Sequence, residues 1–279
     1  MTLVERIARW LKFELGFTDS SAAIEVIRPY YNHLLELLYW RRGLVRKMTG
    51  SESIRIRPSS RYFRDNFESE LFRFIRGVVQ PGDVVLDIGA NVGIFTVLLA
   101  RWVGPGGHVY AFEPSQETRA ILRDHLVLNH VADRVTIIPD AVSDAPGRSS
   151  FHIVGTSGEN TLSPKHSRLP TADSVEVVVT TIDAFCSERR ILPSLVKIDI
   201  EGYEIHALRG AREILAQHSP IVVVELHPLN WPEIGVNAEE LAELLSEINY
   251  QAKTFEESPD PMSPNGHAIL MPRLAEEKL

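Results

Sequence analysis

The chain has 279 residues, 44% of them hydrophobic, a single cysteine and a formal charge of −8. That length holds one large α/β domain with an appendage, and the lone Cys186 excludes an internal disulfide framework and a cysteine-built metal site, which fits a reducing, cytoplasmic compartment. Residues 1–66 carry 12 Lys and Arg against 7 Asp and Glu, the rest 17 against 30, so the acidic main part argues against nucleic acid as substrate.

No apolar run approaches the roughly 20 residues that span a bilayer, and Met1 to Leu15 intersperses Glu5, Arg6, Arg9, Lys12 and Glu14. Neither a signal peptide nor a transmembrane segment is predicted. Residues 1–50 read as two or three short helices, with Ile24, Ile27, Tyr31, Leu34, Leu35 and Leu38 recurring at three- and four-residue intervals. Residues 39–47 join Tyr39 and Trp40 to Arg41, Arg42, Arg46 and Lys47, which suits a helix end packed on the core or a peripheral contact with an anionic membrane. Residues 53–66 read as a strand and connector, and Phe67 to Val79 as a helix. An N-terminal helical appendage, 1–66, thus precedes a main domain, 67–279.

The main domain opens with the apolar strand at Val84, which runs into Asp87-Ile88-Gly89-Ala90-Asn91-Val92-Gly93. A glycine turn between a buried strand and a helix lets a ligand approach the backbone, but dinucleotide folds place glycines at positions one, three and six. Here Gly89 and Gly93 are four apart, with Asn91 between them. A carboxylate at Asp87 would repel a pyrophosphate yet can accept from an ammonium, so the turn points to S-adenosylmethionine rather than to a nicotinamide cofactor. After a helix over 94–102, the strand 108–112 ends in Glu113, placed to hydrogen-bond both ribose hydroxyls. The strand 135–138 ends at Asp140 and Ala141, where a carboxylate and backbone N–H groups can read adenine. Each acid alone could equally be a helix cap or loop-end residue.

Ser115 to His130 is predicted as a helix capped by Ser115, with Glu117 in its first turn. Residues 143–174 loosen into a polar stretch enclosing a short strand near 151–154 and the loop 155–162. A loop that long in a compact domain is expected to be a lid, with Glu159 and Asn160 facing the substrate. A strand over 175–180 and a short turn or helix over 182–185 precede Leu195 to Gly202, a helix over 203–216, a strand over 221–224 and a helix over 238–248. Two closing strands, 252–255 and 268–271, complete a seven-stranded, mainly parallel sheet with one reversed strand and helices on both faces.

With the glycine turn, Glu113, the run Lys197-Ile198-Asp199-Ile200-Glu201-Gly202-Tyr203-Glu204 and the strand end Val224-Glu225-Leu226-His227 in order, the chain resembles the FkbM-type methyltransferase family over roughly 67–227. The resemblance implies a class I, Rossmann-like fold and S-adenosylmethionine-dependent methyl transfer to oxygen, on sugars, polyketides or other hydroxylated metabolites. Residues 160–162 also look like the family's lid segment.

Alternation along the strand puts Lys197, Asp199 and Glu201 on one face. Unpaired burial of such charges would cost several kcal/mol, so Lys197 is expected to pair with a neighbouring carboxylate. Methyl transfer is an in-line displacement, which asks the protein to place an acceptor hydroxyl and take its proton. Asp199, Glu201, His227 and Lys197 are therefore the candidate catalytic residues, and Glu225 a candidate for holding the acceptor. The same groups could bind a divalent ion that acidifies the hydroxyl, and spacing leaves that open. Two other readings remain at this point: a catalytically silent scaffold of the same fold, and a nicotinamide-dependent oxidoreductase.

Overall fold

The structure, a computed structural model, describes residues 22–63, 65, 68–153, 160–162, 173–255, 260 and 266–273. Helix α1 spans Ala22–Tyr39 and is followed by an antiparallel hairpin of β1, Leu44–Lys47, and β2, Ser53–Ile56. Residues 44–47 were expected to be helical. They form a strand because Leu44 and Arg46 point inward while Val45 and Lys47 stay outside, a period of two. Arg46 is itself packed inside, its Nε donating to the Phe63 carbonyl at 3.0 Å, so one of the four cations read as a membrane contact is part of the hairpin's own support. Among the described residues no helix is long and apolar enough to cross a membrane.

Helix α2, Ser69–Val78, leads into β3, Val84–Ile88; α3, Ile94–Trp102; β4, His108–Phe112; α4, Gln116–Leu128; and β5, Val135–Ile138. Ser115 caps α4 as expected, its hydroxyl accepting from Thr118 N. There follow β6, Ala141–Val142; β7, Gly147–Ile153; β8, Asp173–Thr180; α5, Ile182–Arg189; and β9, Leu195–Ile198. The chain closes with α6, Glu204–Arg209; α7, Arg212–His218; β10, Ile221–Leu226; α8, Trp231–Ile234; α9, Ala238–Glu247; β11, Tyr250–Thr254; and β12, Gly266–Pro272.

The main sheet has the order β11-β12-β10-β9-β3-β4-β5, with β12 antiparallel to both neighbours. This is the expected seven-stranded, mainly parallel sheet with one reversed strand. Alternation sorts its side chains into two layers. Val85, Val109, Leu195, Val223 and Ile269 join a core with α2, α3, α4 and the hairpin, whereas Leu86, Phe112, Val196, Val222 and Leu270 join a second core with α5 to α9.

Two further features depart from the sequence reading. The segment 203–216 is two helices that break at Gly210 and Ala211, and Gly210 lies against the residue after β6: a Cβ there would sit 2.2 Å from the Ser143 carbonyl oxygen. Strands β6, β8 and β7 form a separate three-stranded sheet, with β7 and β8 longer than the short strands anticipated. Its inner face, Ala141, Phe151, Val177 and Val179, packs with Leu162 and carries Asn160 to Leu162 towards the ends of the main strands.

Candidate active site

The carboxyl ends of β3, β4, β5, β9 and β10 converge on a cavity of about 510 Å³, within the range of small-molecule sites. Its wall includes Gly89, Asn91, Glu113, Asp140 and Ala141 on one side and Asp199, Glu201 and Glu225 on the other, with Asn160 reaching in from the polar stretch. Glu159 lies outside the described residues.

The turn after β3 is tied to β4, since Gly89 N and Ala90 N both donate to the Phe112 carbonyl. Asn91 adopts φ 49°, and its N–H donates to Glu113 Oε2 at 3.0 Å while Ser115 N donates to Oε1 at 2.8 Å. Each Glu113 oxygen keeps a second lone pair for a ligand hydroxyl. Burial pushes this carboxyl up to about 7 despite both N–H groups.

Four of the expected site residues lie behind the cavity wall rather than on it. Asp87 is fully buried, with Oδ2 accepting from Thr96 Oγ1 of α3 at 2.6 Å, so it stands behind the wall and not on it. Burial pushes its carboxyl upward, against the pull of Lys197. Gly93 is needed by packing: at φ 84° a Cβ would fall 2.1 Å from Leu122 Cδ1. Gly89, though on the wall, is also constrained from behind, because its Cβ would lie 1.8 Å from the Asp199 carbonyl oxygen. The turn is glycine-rich to let β3 approach β9 as well as to admit a ligand.

Lys197 is the third. It is paired in register with Asp87, its ammonium lies over Phe95 at 5.2 Å, and its Nζ donates to Asp199 Oδ2 at 3.1 Å. The pairing expected for it is present, and the ammonium is enclosed behind the cavity wall. Burial disfavours the Asp199 charge, yet Lys197 overrides this and holds Asp199 below the usual carboxylate range.

His227 is the fourth, 5% exposed and surrounded by acids. Its Nδ1 lies 2.8 Å from Glu204 Oε1, and its Nε2 3.4 Å from Glu201 Oε2 and 3.8 Å from Glu225 Oε1. Burial opposes the charge, but the Glu204 hydrogen bond and the neighbouring carboxylates push His227 up to about 10. A ring held in that charged form would take no further proton from an acceptor. Glu201 is the contrasting case: burial pushes it up to about 8 even with His227 beside it.

Sequence reasoning missed Glu68, which precedes α2, and His267 on β12. His267 Nε2 stands 3.5 Å from Glu225 Oε2 and 3.7 Å from Glu68 Oε2. Nothing local in the sequence marks either residue, because tertiary folding brings them to β10. Two groups, Glu68 with Glu225 and His267, and Asp199 with Glu201 and His227, put nitrogen and oxygen donors within 4.8 Å of one another. Either group could hold a divalent ion only if its histidine first released the proton it shares with carboxylates.

The profile of the Methyltransferase FkbM domain matches residues 87–252, which spans β3 to β11 and this whole constellation. The chain belongs to the FkbM methyltransferase family. The family is S-adenosylmethionine-dependent, and the sheet is that of a class I methyltransferase. Among relatives, the chain is 33% identical to 31-O-demethyl-FK506 methyltransferase FkbM of Streptomyces tacrolimicus over 178 residues, covering 54% of this chain and 68% of that protein. It is 26% identical to hexuronic acid methyltransferase AglP of Haloferax volcanii over 255 residues, covering 88% and 90%. The crystal structure of methyltransferase FkbM from Methylobacillus flagellatus KT is similar at a TM-score of 0.46 and 18% identity, over 72% of this chain and half of that one.

Proposed function

We propose that the protein transfers a methyl group from S-adenosylmethionine to a hydroxyl of a small metabolite, a sugar or polyketide in class. The observation that carries this reading is the charge of the cavity wall. Among the described residues it presents Glu68, Glu113, Asp140, Asp199, Glu201 and Glu225, and no Lys, Arg or His. Such a wall suits a sulfonium- and ammonium-bearing ligand and repels the pyrophosphate of a nicotinamide cofactor. When bound, S-adenosylmethionine supplies a methyl group activated by positively charged sulfur.

In this reading Gly89 and Asn91 lie along the cofactor, Glu113 accepts from its ribose hydroxyls, and Asp140 with the Ala141 backbone meets the adenine. Tyr62, Phe63 and Tyr203 on the wall offer ring faces to an acceptor, and the carboxylates accept from its hydroxyls. Asp199, kept charged by Lys197, orients the reacting hydroxyl, and Glu201 takes the proton in its ionised form, which is favoured as pH rises through about 8. The same wall suits a neutral polyol better than a uronate. AglP is named for a hexuronic acid and FkbM for 31-O-demethyl-FK506, and an ionised hexuronic acid is the acceptor that this acidic wall suits less well.

Calorimetric titration with S-adenosylhomocysteine and with NADH tests the cofactor, and binding of NADH alone would reject the reading. Single-turnover methyl transfer to hydroxylated sugars and macrolides tests the chemistry. Asp199→Asn and Glu201→Gln are each expected to slow transfer by about 10²–10⁴-fold while leaving S-adenosylhomocysteine bound. Wild-type rates in both variants would place the proton transfer elsewhere.

A further inference from the structure

The most heavily used carboxylate near the cavity does not touch it. Glu204, the first residue of α6, is fully buried and serves three elements at once. Its Oε1 accepts from Gly202 N at 2.6 Å and faces His227 Nδ1 at 2.8 Å, while its Oε2 accepts from Trp231 Nε1 at 3.0 Å. The first bond folds the chain back at Glu201 and Gly202, which both lie at positive φ, 52° and 110°. The others pin the end of β10 and the start of α8 to that turn.

Geometry dictates the state of the imidazole. Ionised carboxylates only accept, so Nδ1 facing Glu204 must carry a hydrogen. Nε2 faces Glu201 and Glu225, and where these are ionised it meets them favourably only if it carries one too. Asp199 adds to the negative surroundings, and Asn230 and Thr161 add no charge: both donate to the Glu201 carbonyl oxygen, at 3.3 and 3.1 Å.

We infer that Glu204 is a positioning residue of the acceptor end: its enclosed carboxylate fixes His227 as an imidazolium whose outer N–H is held between Glu201 and Glu225. The cation offsets part of the mutual repulsion of these acids, which stand side by side on the cavity wall. Glu204 thus acts on the acceptor end through His227, without contacting a substrate. This assignment rests on reading Asp199, Glu201 and Glu225 as the acceptor end.

Long-range ¹H–¹⁵N correlation of the histidine side chains in the full-length protein tests it. At about pH 8.5, roughly two units above an ordinary imidazole midpoint of about 6.5, wild-type His227 is expected to carry hydrogen on both ring nitrogens. Glu204→Gln is expected to lose one of them at that pH. Trp231→Phe, which removes a different partner of Glu204 and disturbs the same packing, is expected to keep both. A neutral His227 in the wild type overturns the inference, even if Glu204→Gln fails to fold. So does an unchanged His227 spectrum in folded Glu204→Gln, or an equal loss in Trp231→Phe, which would make the effect one of packing. Calorimetry with S-adenosylhomocysteine separates the underlying reading: binding is expected to survive in folded Glu204→Gln, and its loss would overturn the division of the cavity into two ends, with the wild-type spectrum still deciding His227.

Discussion

Glu113 holds a turn, and the proposed function also gives it the ribose of the cofactor. Two backbone N–H groups hold it, and burial pushes its carboxyl up to about 7. The ionised form, which accepts from hydroxyls, is therefore lost as pH falls through 7. Affinity for S-adenosylhomocysteine is expected to weaken below that pH by up to about tenfold per unit, and calorimetry from pH 6 to 8 checks it. Glu113→Gln should flatten the profile. Glu113→Ala should weaken binding at least tenfold at pH 8, since each charged hydrogen bond contributes about 1.5–3 kcal/mol. Gly89 belongs to the same scale with a different physics. Gly89→Ala drives a Cβ into the Asp199 carbonyl, whereas Gly50, at φ +76°, has nothing within 4 Å of its Cβ position. Gly50→Ala should cost only the left-handed backbone strain of about 1–2 kcal/mol, and Gly89→Ala considerably more, read as a larger drop in the thermal midpoint. Equal drops would mean that strain alone governs Gly89.

Between elements, the hairpin is tied to the main sheet by polar contacts as well as by Leu44, Ile54 and Ile56 in the core. Asn129, after α4, does most of this: its Oδ1 accepts from Arg55 N and Arg101 Nη2, and its Nδ2 donates to the carbonyls of Arg55 and His125. Next to it, Arg57 N meets His125 Nε2 at 2.8 Å, and Arg57 pairs with Asp124 and Glu36. Asn129→Ala leaves several of these groups without partners, at about 1–3 kcal/mol each where water cannot replace them. Chemical denaturation should show that loss, with S-adenosylhomocysteine affinity unchanged because Asn129 does not line the cavity. A normal stability would show that the apolar contacts alone hold the hairpin.

Across the whole molecule, the acceptor end is assembled from the beginning, middle and end of the chain. Glu68 enters from the segment before α2, at φ 45°, and His267 from the reversed strand β12, so that both flank Glu225. Burial pushes Glu68 up to about 7. Glu68→Gln should leave S-adenosylhomocysteine binding intact and raise the KM for any acceptor that the wild type methylates, most strongly above pH 7, where the native carboxyl is ionised. Unchanged acceptor kinetics would remove Glu68 from the site.

The sequence by itself determined the strands of the main sheet and most of the helices between them, the presence of one reversed strand and the positions of Gly89, Glu113, Asp199 and Glu225, because alternation and glycine turns are local patterns with periods short enough to read. It also announced that Lys197 needs a carboxylate, since an enclosed cation cannot stand alone. Only the tertiary structure decided that Asp87, Gly93 and Lys197 support the cavity from behind, that residues 44–47 pair as a strand, and that Glu68 and His267 join Glu225. The role of His227 falls in the same class. Its neighbours Glu201, Glu204 and Glu225 favour the cationic ring, and that depends on distances between separate elements, which the order of residues does not encode directly.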